Sequence, residues 1–118
     1  MKKCFYLKTC DTCKRILKEI DEPSLELQNI KEDMLTEEQL GEMKKRAGSY
    51  EALFSRRSLK YKEWNLKEKT LGEDDYKSYI LEHYSFLKRP VFLIDTEIFI
   101  GNSKKEIERL KNYLGSSN

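Results

Sequence analysis

Apolar residues recur along the first thirty positions at spacings that predict a strand, a helix and a second strand. Residues 3–7 are rich in aromatic and aliphatic side chains, as short strands are. A helix follows, because apolar residues then recur at i, i+3, i+4 and i+7, and Pro23 ends it. These residues are Cys13, Ile16, Leu17 and Ile20. Residues 25–30 form the second predicted strand, so the chain begins β-α-β.

The middle of the chain, about residues 33–86, is predicted to be a helical insertion. Residues 36–39, Thr-Glu-Glu-Gln, form a capping box that opens a helix, and Gly48 ends that helix. Further helical segments are predicted over residues 49–54, over residues 60–69 and from Glu73 onwards.

The last thirty residues predict a hairpin and a closing helix. Residues 91–94 are an apolar run, a tight turn follows, and residues 98–100 form the returning strand. A second capping box, from Ser103 to Glu106, opens the final helix. The tail from Gly115 onwards is expected to be frayed.

This order of elements, β-α-β, a helical insertion and β-β-α, predicts an α/β fold with a mixed four-stranded sheet. The strand–helix–strand unit needs a right-handed parallel crossover, and the hairpin adds an antiparallel pair. A CxxC motif lies between the first strand and the first helix, which is typical of the thioredoxin-like fold. We expect one thioredoxin-like domain over residues 1–118.

Composition and charge narrow the class of protein. A chain of 118 residues has the size of one domain, and its net charge of +2 does not favour binding to nucleic acid or to an anionic membrane. No apolar run approaches the length that spans a bilayer, and the apolar stretch at the N-terminus is too short for a signal peptide. The sequence therefore predicts a cytoplasmic protein.

The cysteines of a cytoplasmic protein are not expected to form a disulfide framework, so the CxxC pair should be catalytic, redox-active or metal-binding. Cys10 lies at the start of the first helix, where unpaired N–H groups and the helix dipole favour an anion such as a thiolate. Cys13, one helical turn on, can attack a mixed disulfide formed at Cys10. We predict Cys10 as the nucleophile and Cys13 as the resolving thiol.

Other roles are open for the thiols and for the single histidine. A zinc site would need further soft ligands, and the chain offers just Cys4 and His83, so no metal site is predicted. Cys13 also fits a plain buried thiol on the apolar helix face. Cys4 is expected in the core, and His83 is expected to pack on a helix face.

The same turn can bind a phosphate-like oxyanion such as arsenate through its backbone N–H groups. Arginine suits such oxygens because its guanidinium donates in a planar fork. Arg89 directly precedes Pro90, at the place where thioredoxin-like folds carry a cis-proline loop facing the cysteine turn. Arg56 belongs to an Arg56-Arg57 pair, for which a solvated charge pair is the alternative.

Three motifs in order resemble the arsenate reductase family, which includes glutaredoxin-coupled arsenate reductases and Spx-type transcription regulators. They are Cys10-Asp11-Thr12-Cys13-Lys14-Arg15, Leu53-Phe54-Ser55-Arg56-Arg57-Ser58 and Leu87-Lys88-Arg89-Pro90-Val91-Phe92. The resemblance extends from Lys3 to about Leu114. It implies that Cys10 forms a thiolate–arsenate adduct and that Arg56 and Arg89 hold the oxyanion. It also implies no bound cofactor, with glutathione, glutaredoxin or thioredoxin as the external reductant.

The sequence departs from these reductases at three positions. Their third arginine would fall around residues 100–102, where none stands, and the histidine that some members carry before the nucleophile is Tyr6 here. These two departures count against efficient arsenate turnover. The third is Cys13, which stands where the reductases usually have serine. It is similar to the Spx redox switch or to a reductase that uses its own resolving thiol.

The primary hypothesis is an arsenate reductase-like thiol oxidoreductase. One alternative is an Spx-like redox-sensing regulator that binds RNA polymerase, although residues 49–53 differ from the polymerase-binding segment of those regulators. The other alternative is a general thiol–disulfide oxidoreductase whose substrate is not arsenate.

Overall fold

The computed structural model describes residues 1–116, so Ser117 and Asn118 lie outside the described residues. Contacts within the chain divide it into two compact units. Unit 1 comprises Met1–Ile30 and Arg89–Asn118, and unit 2 comprises Lys31–Lys88. The single domain over residues 1–118, with its insertion at about 33–86, stays a prediction.

Unit 1 contains a four-stranded mixed sheet and two helices. The elements are β1 (Lys2–Tyr6), α1 (Asp11–Ile20), β2 (Glu26–Asn29), β3 (Val91–Ile94), β4 (Glu97–Ile100) and α5 (Lys104–Ser116). The strand order is β2-β1-β3-β4. β1 pairs parallel with β2, and the β1–β3 and β3–β4 pairs are antiparallel. This is the α/β fold with a mixed four-stranded sheet that the sequence predicts.

The core of unit 1 lies around the central strand β3. All four β3 residues are buried and apolar. A strand that is covered on both faces is expected to be apolar throughout its length. Cys4 of β1 pairs in register with Phe92 of β3, and both are buried in one cluster. Ile16 of α1 and Leu110 of α5 complete that cluster from the helices. The core placement predicted for Cys4 is confirmed.

The last helix, α5, differs from the expectation at both ends. At its start, the Ser103 hydroxyl accepts from the Glu106 N–H at 3.1 Å, which is half of a capping box. The Glu106 carboxylate accepts instead from the Ile100 N–H at 2.8 Å and from the Arg109 guanidinium. At its end, the helix includes Gly115 and Ser116, the first two residues of the tail that is expected to be frayed, and the rest of that tail lies outside the described residues.

Unit 2 is built from helices and short 3-10 turns. Its α-helices are α2 (Glu37–Ala47), α3 (Leu59–Glu63) and α4 (Glu73–Glu82), and its 3-10 turns are Glu51–Leu53, Leu66–Glu68 and Tyr84–Phe86. The predicted box at Thr36 is complete, and Gly48 ends α2 with φ of +96°. That left-handed conformation is the one glycine adopts without steric cost.

The single helix predicted over residues 60–69 is broken at Asn65. Asn65 has φ of +52°, a left-handed conformation that asparagine tolerates better than most residues. The break lets Trp64 contact Tyr79 and Phe86, with ring centroids 6.0 and 5.5 Å apart, while Leu66 is buried. Tertiary packing of these aromatic rings outweighs the local preference for one continuous helix.

Candidate active site

Cys10 is the N-cap residue of α1. Its backbone is extended, its N–H donates to the Leu7 carbonyl at 3.0 Å, and its carbonyl accepts from the Lys14 N–H at 3.1 Å. The loop before it is tied to the end of β2, because the Lys8 N–H donates to the Asn29 side chain at 3.2 Å. The partly exposed Cys10 thiol therefore lies at the positive end of the helix, on a backbone that is fixed on both sides.

Cys13 is buried directly behind this turn. Burial is the main reason that its pKa rises to about 11. A hydrogen bond from the Leu7 N–H and the positive charge of Arg89 lower this pKa, whereas a hydrogen bond with Cys10 and the negative charge on Cys10 raise it. Cys13 is therefore kept as a thiol that donates to the sulfur of Cys10. The predicted pair is in contact, and all three cysteines of the chain are free thiols in this structure.

Arg89 enters unit 1 through the loop before β3. The Arg89–Pro90 bond is cis, as the position in the sequence suggests, and Pro90 is buried. The Pro90 carbonyl accepts from the Gly101 N–H at 2.9 Å, and the Asn102 amide donates to the Arg89 carbonyl at 3.4 Å. The positive charge of Arg89 contributes to lowering the pKa of Cys13. Unit 1 thus contains Cys10, Cys13 and Arg89, and the charge of Arg89 acts on Cys13.

The contact made by Asn102 is not predicted from the sequence. Asn102 lies in the turn between β4 and α5, in the region where the third arginine of the reductases would fall. The sequence feature that could have pointed to this contact is the position of Asn102 directly after Gly101. Gly101 has φ of +85° and follows the end of β4. The turn that lacks the third arginine therefore supports the backbone of Arg89.

Arg56 belongs to unit 2, where it forms an ion pair and a side-chain hydrogen bond. Its Nη2 donates to the Glu51 carboxylate at 2.9 Å and to the Tyr76 hydroxyl at 2.9 Å. The hydrogen bond to Glu51 is the main reason that the pKa of Arg56 is raised. Arg57 is exposed. The segment before them is paired in an antiparallel bridge between Phe54 and Leu87. The role of Arg56 toward an oxyanion stays a prediction.

The remaining thiol, Cys4, belongs to the core of unit 1. Cys4 is fully buried, which raises its pKa, and electrostatic coupling to Cys13 raises it further. Among residues 1–116, no three histidine, cysteine or acidic side chains are grouped so that they could hold a metal ion. Within the same residues, no helix has the length and apolarity needed to span a membrane.

His83 lies outside the helix face on which it was expected to pack. α4 ends at Glu82, and His83 caps the following 3-10 turn, where its Nδ1 accepts from the Ser85 N–H at 3.1 Å. Its Nδ1 is also 2.7 Å from the Ser85 hydroxyl. Burial is the main reason that the pKa of His83 is lowered, and the charge of Lys60 contributes. The cap therefore requires neutral imidazole.

This cap predicts a pH-dependent stability. The pKa of His83 is lowered from 6.5, so the unfolded chain binds more protons than the folded one between the folded value and 6.5. The free energy of unfolding should therefore fall as the pH drops from about 7.5 to about 5.5, and level off below the folded pKa. Urea unfolding across this range measures the change. His83→Asn keeps a capping oxygen without titrating, and an equal slope in that variant would refute the assignment.

Comparisons with known proteins agree with this fold. The model of the ArsC family matches residues 5–110. No curated protein matches the chain. An arsenate reductase from Vibrio cholerae has a TM-score of 0.77 at 17% identity, covering 92% of this chain and 95% of that one. Protein SACOL0876 from Staphylococcus aureus COL has a TM-score of 0.75 at 27% identity, covering 92% and 97%. An arsenate reductase (ArsC) related protein from Brucella melitensis has a TM-score of 0.70 at 20% identity, covering 92% of each chain.

Proposed function

Since the chain belongs to the ArsC family, we propose that it is an arsenate reductase-like thiol oxidoreductase with Cys10 as nucleophile and Cys13 as resolving thiol. The observation that carries the proposal is the contact between the two thiols at the start of α1, where Cys10 is the N-cap residue and the charge of Arg89 acts on Cys13. This arrangement supplies a nucleophile, a second thiol one turn away and a cation for an oxyanion. A small oxyanion is the substrate class, and a thiol redox protein or glutathione is the partner class.

In the first step, the Cys10 thiolate attacks the arsenic of arsenate. A sulfur–arsenic bond forms, and one arsenic–oxygen bond breaks as the oxygen leaves as water after taking up protons. The N–H groups at the start of α1 and the guanidinium of Arg89 face the charge that develops on the remaining oxygens. Arsenic remains in the pentavalent state in this adduct.

In the second step, Cys13 attacks the sulfur of Cys10. The sulfur–arsenic bond breaks, and its electron pair stays on arsenic, which becomes trivalent arsenite while a Cys10–Cys13 disulfide forms. In the adduct, the sulfur of Cys10 is bonded to arsenic and is no longer a thiolate acceptor for the Cys13 hydrogen bond, one of the influences that raise the pKa of Cys13. The Leu7 N–H and Arg89 remain and stabilise the Cys13 thiolate. Resolution is thereby favoured after the adduct forms.

The disulfide must be reduced by an external thiol, because the two electrons given to arsenic came from the two thiols. Glutathione with glutaredoxin, or thioredoxin, supplies two electrons by thiol–disulfide exchange. The chain's own part in this step is the partly exposed sulfur of Cys10, which an external thiol can reach, whereas Cys13 is buried.

Arg56 is proposed as a second oxyanion ligand. The support is its place in the Leu53-Phe54-Ser55-Arg56-Arg57-Ser58 motif, which resembles the family pattern. A guanidinium can donate to two oxygens of an oxyanion at once, and such charge-assisted bonds are stronger than neutral ones.

The test is a mass measurement on the reduced full chain exposed to one equivalent of arsenate, without an external thiol. We expect the loss of two hydrogens, a disulfide between Cys10 and Cys13, and one arsenite released per chain. Cys13→Ser should form no disulfide and should retain arsenic on Cys10. Cys4→Ala is the matched control and should behave like the wild type. An unchanged mass, or a disulfide that includes Cys4, would contradict the proposal.

A general thiol–disulfide oxidoreductase is the second candidate, and the turn at Asn102 is the observation that favours it. A neutral amide stands there instead of a third cation for an oxyanion. If this candidate holds, arsenate leaves the thiols unchanged in the same experiment, whereas a small disulfide oxidises them. The Spx-type interpretation stays a prediction, to be tested by recovery of RNA polymerase subunits from a lysate.

A further inference from the structure

We propose that Glu51 is an internal competitor of the oxyanion for Arg56 and thereby sets the affinity for substrate. The inference rests on the proposed role of Arg56. It concerns a carboxylate that neither the sequence motifs nor the mechanism above uses. Glu51 lies five residues before Arg56, in the 3-10 turn Glu51–Leu53.

Nη2 of Arg56, the Glu51 carboxylate and the Tyr76 hydroxyl form a closed triangle of hydrogen bonds. Nη2 of Arg56 donates to Oε2 of Glu51 at 2.9 Å and to the hydroxyl of Tyr76 at 2.9 Å. The Tyr76 hydroxyl donates in turn to the same Oε2 at 3.4 Å. The carboxylate therefore occupies a donor that an oxyanion bound to Arg56 would use.

The position of the guanidinium does not depend on Glu51 alone. Arg56 lies over the rings of Tyr76 and Phe54, with its central carbon 5.6 and 6.0 Å from their centroids. Tyr76 is buried, and its ring is 4.9 Å from that of Phe54. These buried rings can hold the guanidinium in place when the carboxylate leaves. The aromatic rings therefore hold the Arg56 guanidinium in position, whereas Glu51 pairs with its charge.

The carboxylate itself is held where it can compete. The Glu51 N–H donates to Oε2 of Glu73 at 3.0 Å, and the Tyr50 N–H donates to Oε1 of the same side chain at 2.7 Å. The backbone of Glu51 is therefore fixed on the start of α4. The side chains of Arg56 and Glu51 are 48% and 56% exposed. An ion pair so exposed is weak, which makes it displaceable by a doubly charged oxyanion.

Replacing Glu51 by glutamine tests the competition, because the amide oxygen still accepts from Arg56 but the charge is gone. In Glu51→Gln, we expect the KM for arsenate to fall about two- to fivefold, the range that an exposed ion pair is worth, while kcat stays within about twofold. In a Cys10→Ser background, calorimetry with arsenate should show binding tightened by the same factor.

Glu68→Gln is the matched control. It makes the same charge change in unit 2 on an exposed carboxylate outside the triangle. A KM that is unchanged or higher in Glu51→Gln, or an equal fall in Glu68→Gln, would overturn the inference. If the wild type does not turn over arsenate, the proposed function fails, and the calorimetric comparison still decides the role of Glu51.

Discussion

Replacing Cys10 by serine is expected to lower kcat/KM for arsenate reduction by at least about 1000-fold, as loss of a nucleophile does in other enzymes. A serine hydroxyl is not ionised at neutral pH, and it can form neither the sulfur–arsenic bond nor the disulfide. The chain then has no pair of thiols from which arsenic can take two electrons. Arsenate-dependent NADPH consumption, with thioredoxin or glutaredoxin and its reductase supplied, measures the loss.

Cys4→Ala is the control for this variant. It removes a thiol of the same chain that is buried in the core and has no part in the proposed steps. Its activity should stay near that of the wild type at a temperature at which it is folded. Cys10→Ser activity above about 1% of the wild-type value would show that another group is the nucleophile.

Replacing Arg89 by glutamine should lower kcat/KM by about 10- to 100-fold, because a hydrogen bond to a charged group is worth about 1.5–3 kcal/mol and 1.4 kcal/mol is a factor of ten. Loss of the Arg89 charge should also change the pKa of Cys13. The charge of Arg89 lowers the pKa of Cys13, so its loss should raise that pKa above its value of about 11. Formation of the disulfide should then require a higher pH than in the wild type.

Single-turnover formation of the disulfide, followed by mass at several pH values, separates these two effects of Arg89. Arg89→Lys keeps the charge but not the planar fork, so it should restore the pH dependence while leaving arsenate binding weak. Lys88→Gln makes the same charge change at the adjacent exposed residue. If Lys88→Gln and Arg89→Gln are equally impaired, net charge rather than the placement of Arg89 is responsible.

The sequence by itself determined the strands, most of the helices and the placement of the cysteines in the first loop. The apolar run at residues 91–94 and the helical spacing after Cys10 are short-range patterns, and burial of those residues requires β3 and α1 whatever the detailed packing. The capping box at Thr36 pairs it with Gln39, three residues later in the chain, so it too was predictable from the sequence. Cys10 and Cys13 are one helical turn apart for the same local reason.

Only the tertiary structure decided how distant groups meet. The break at Asn65 depends on Tyr79 and Phe86, which pack on Trp64 from elsewhere in the chain. The pKa of Cys13 depends on its burial and on Arg89, 76 positions later in the sequence. The pairing of Arg56 likewise requires the hydroxyl of Tyr76, twenty residues away. Hydrophobic spacing determines which face of an element is buried, but it carries no information about which polar group lies opposite it. Those contacts exist only once the elements have packed.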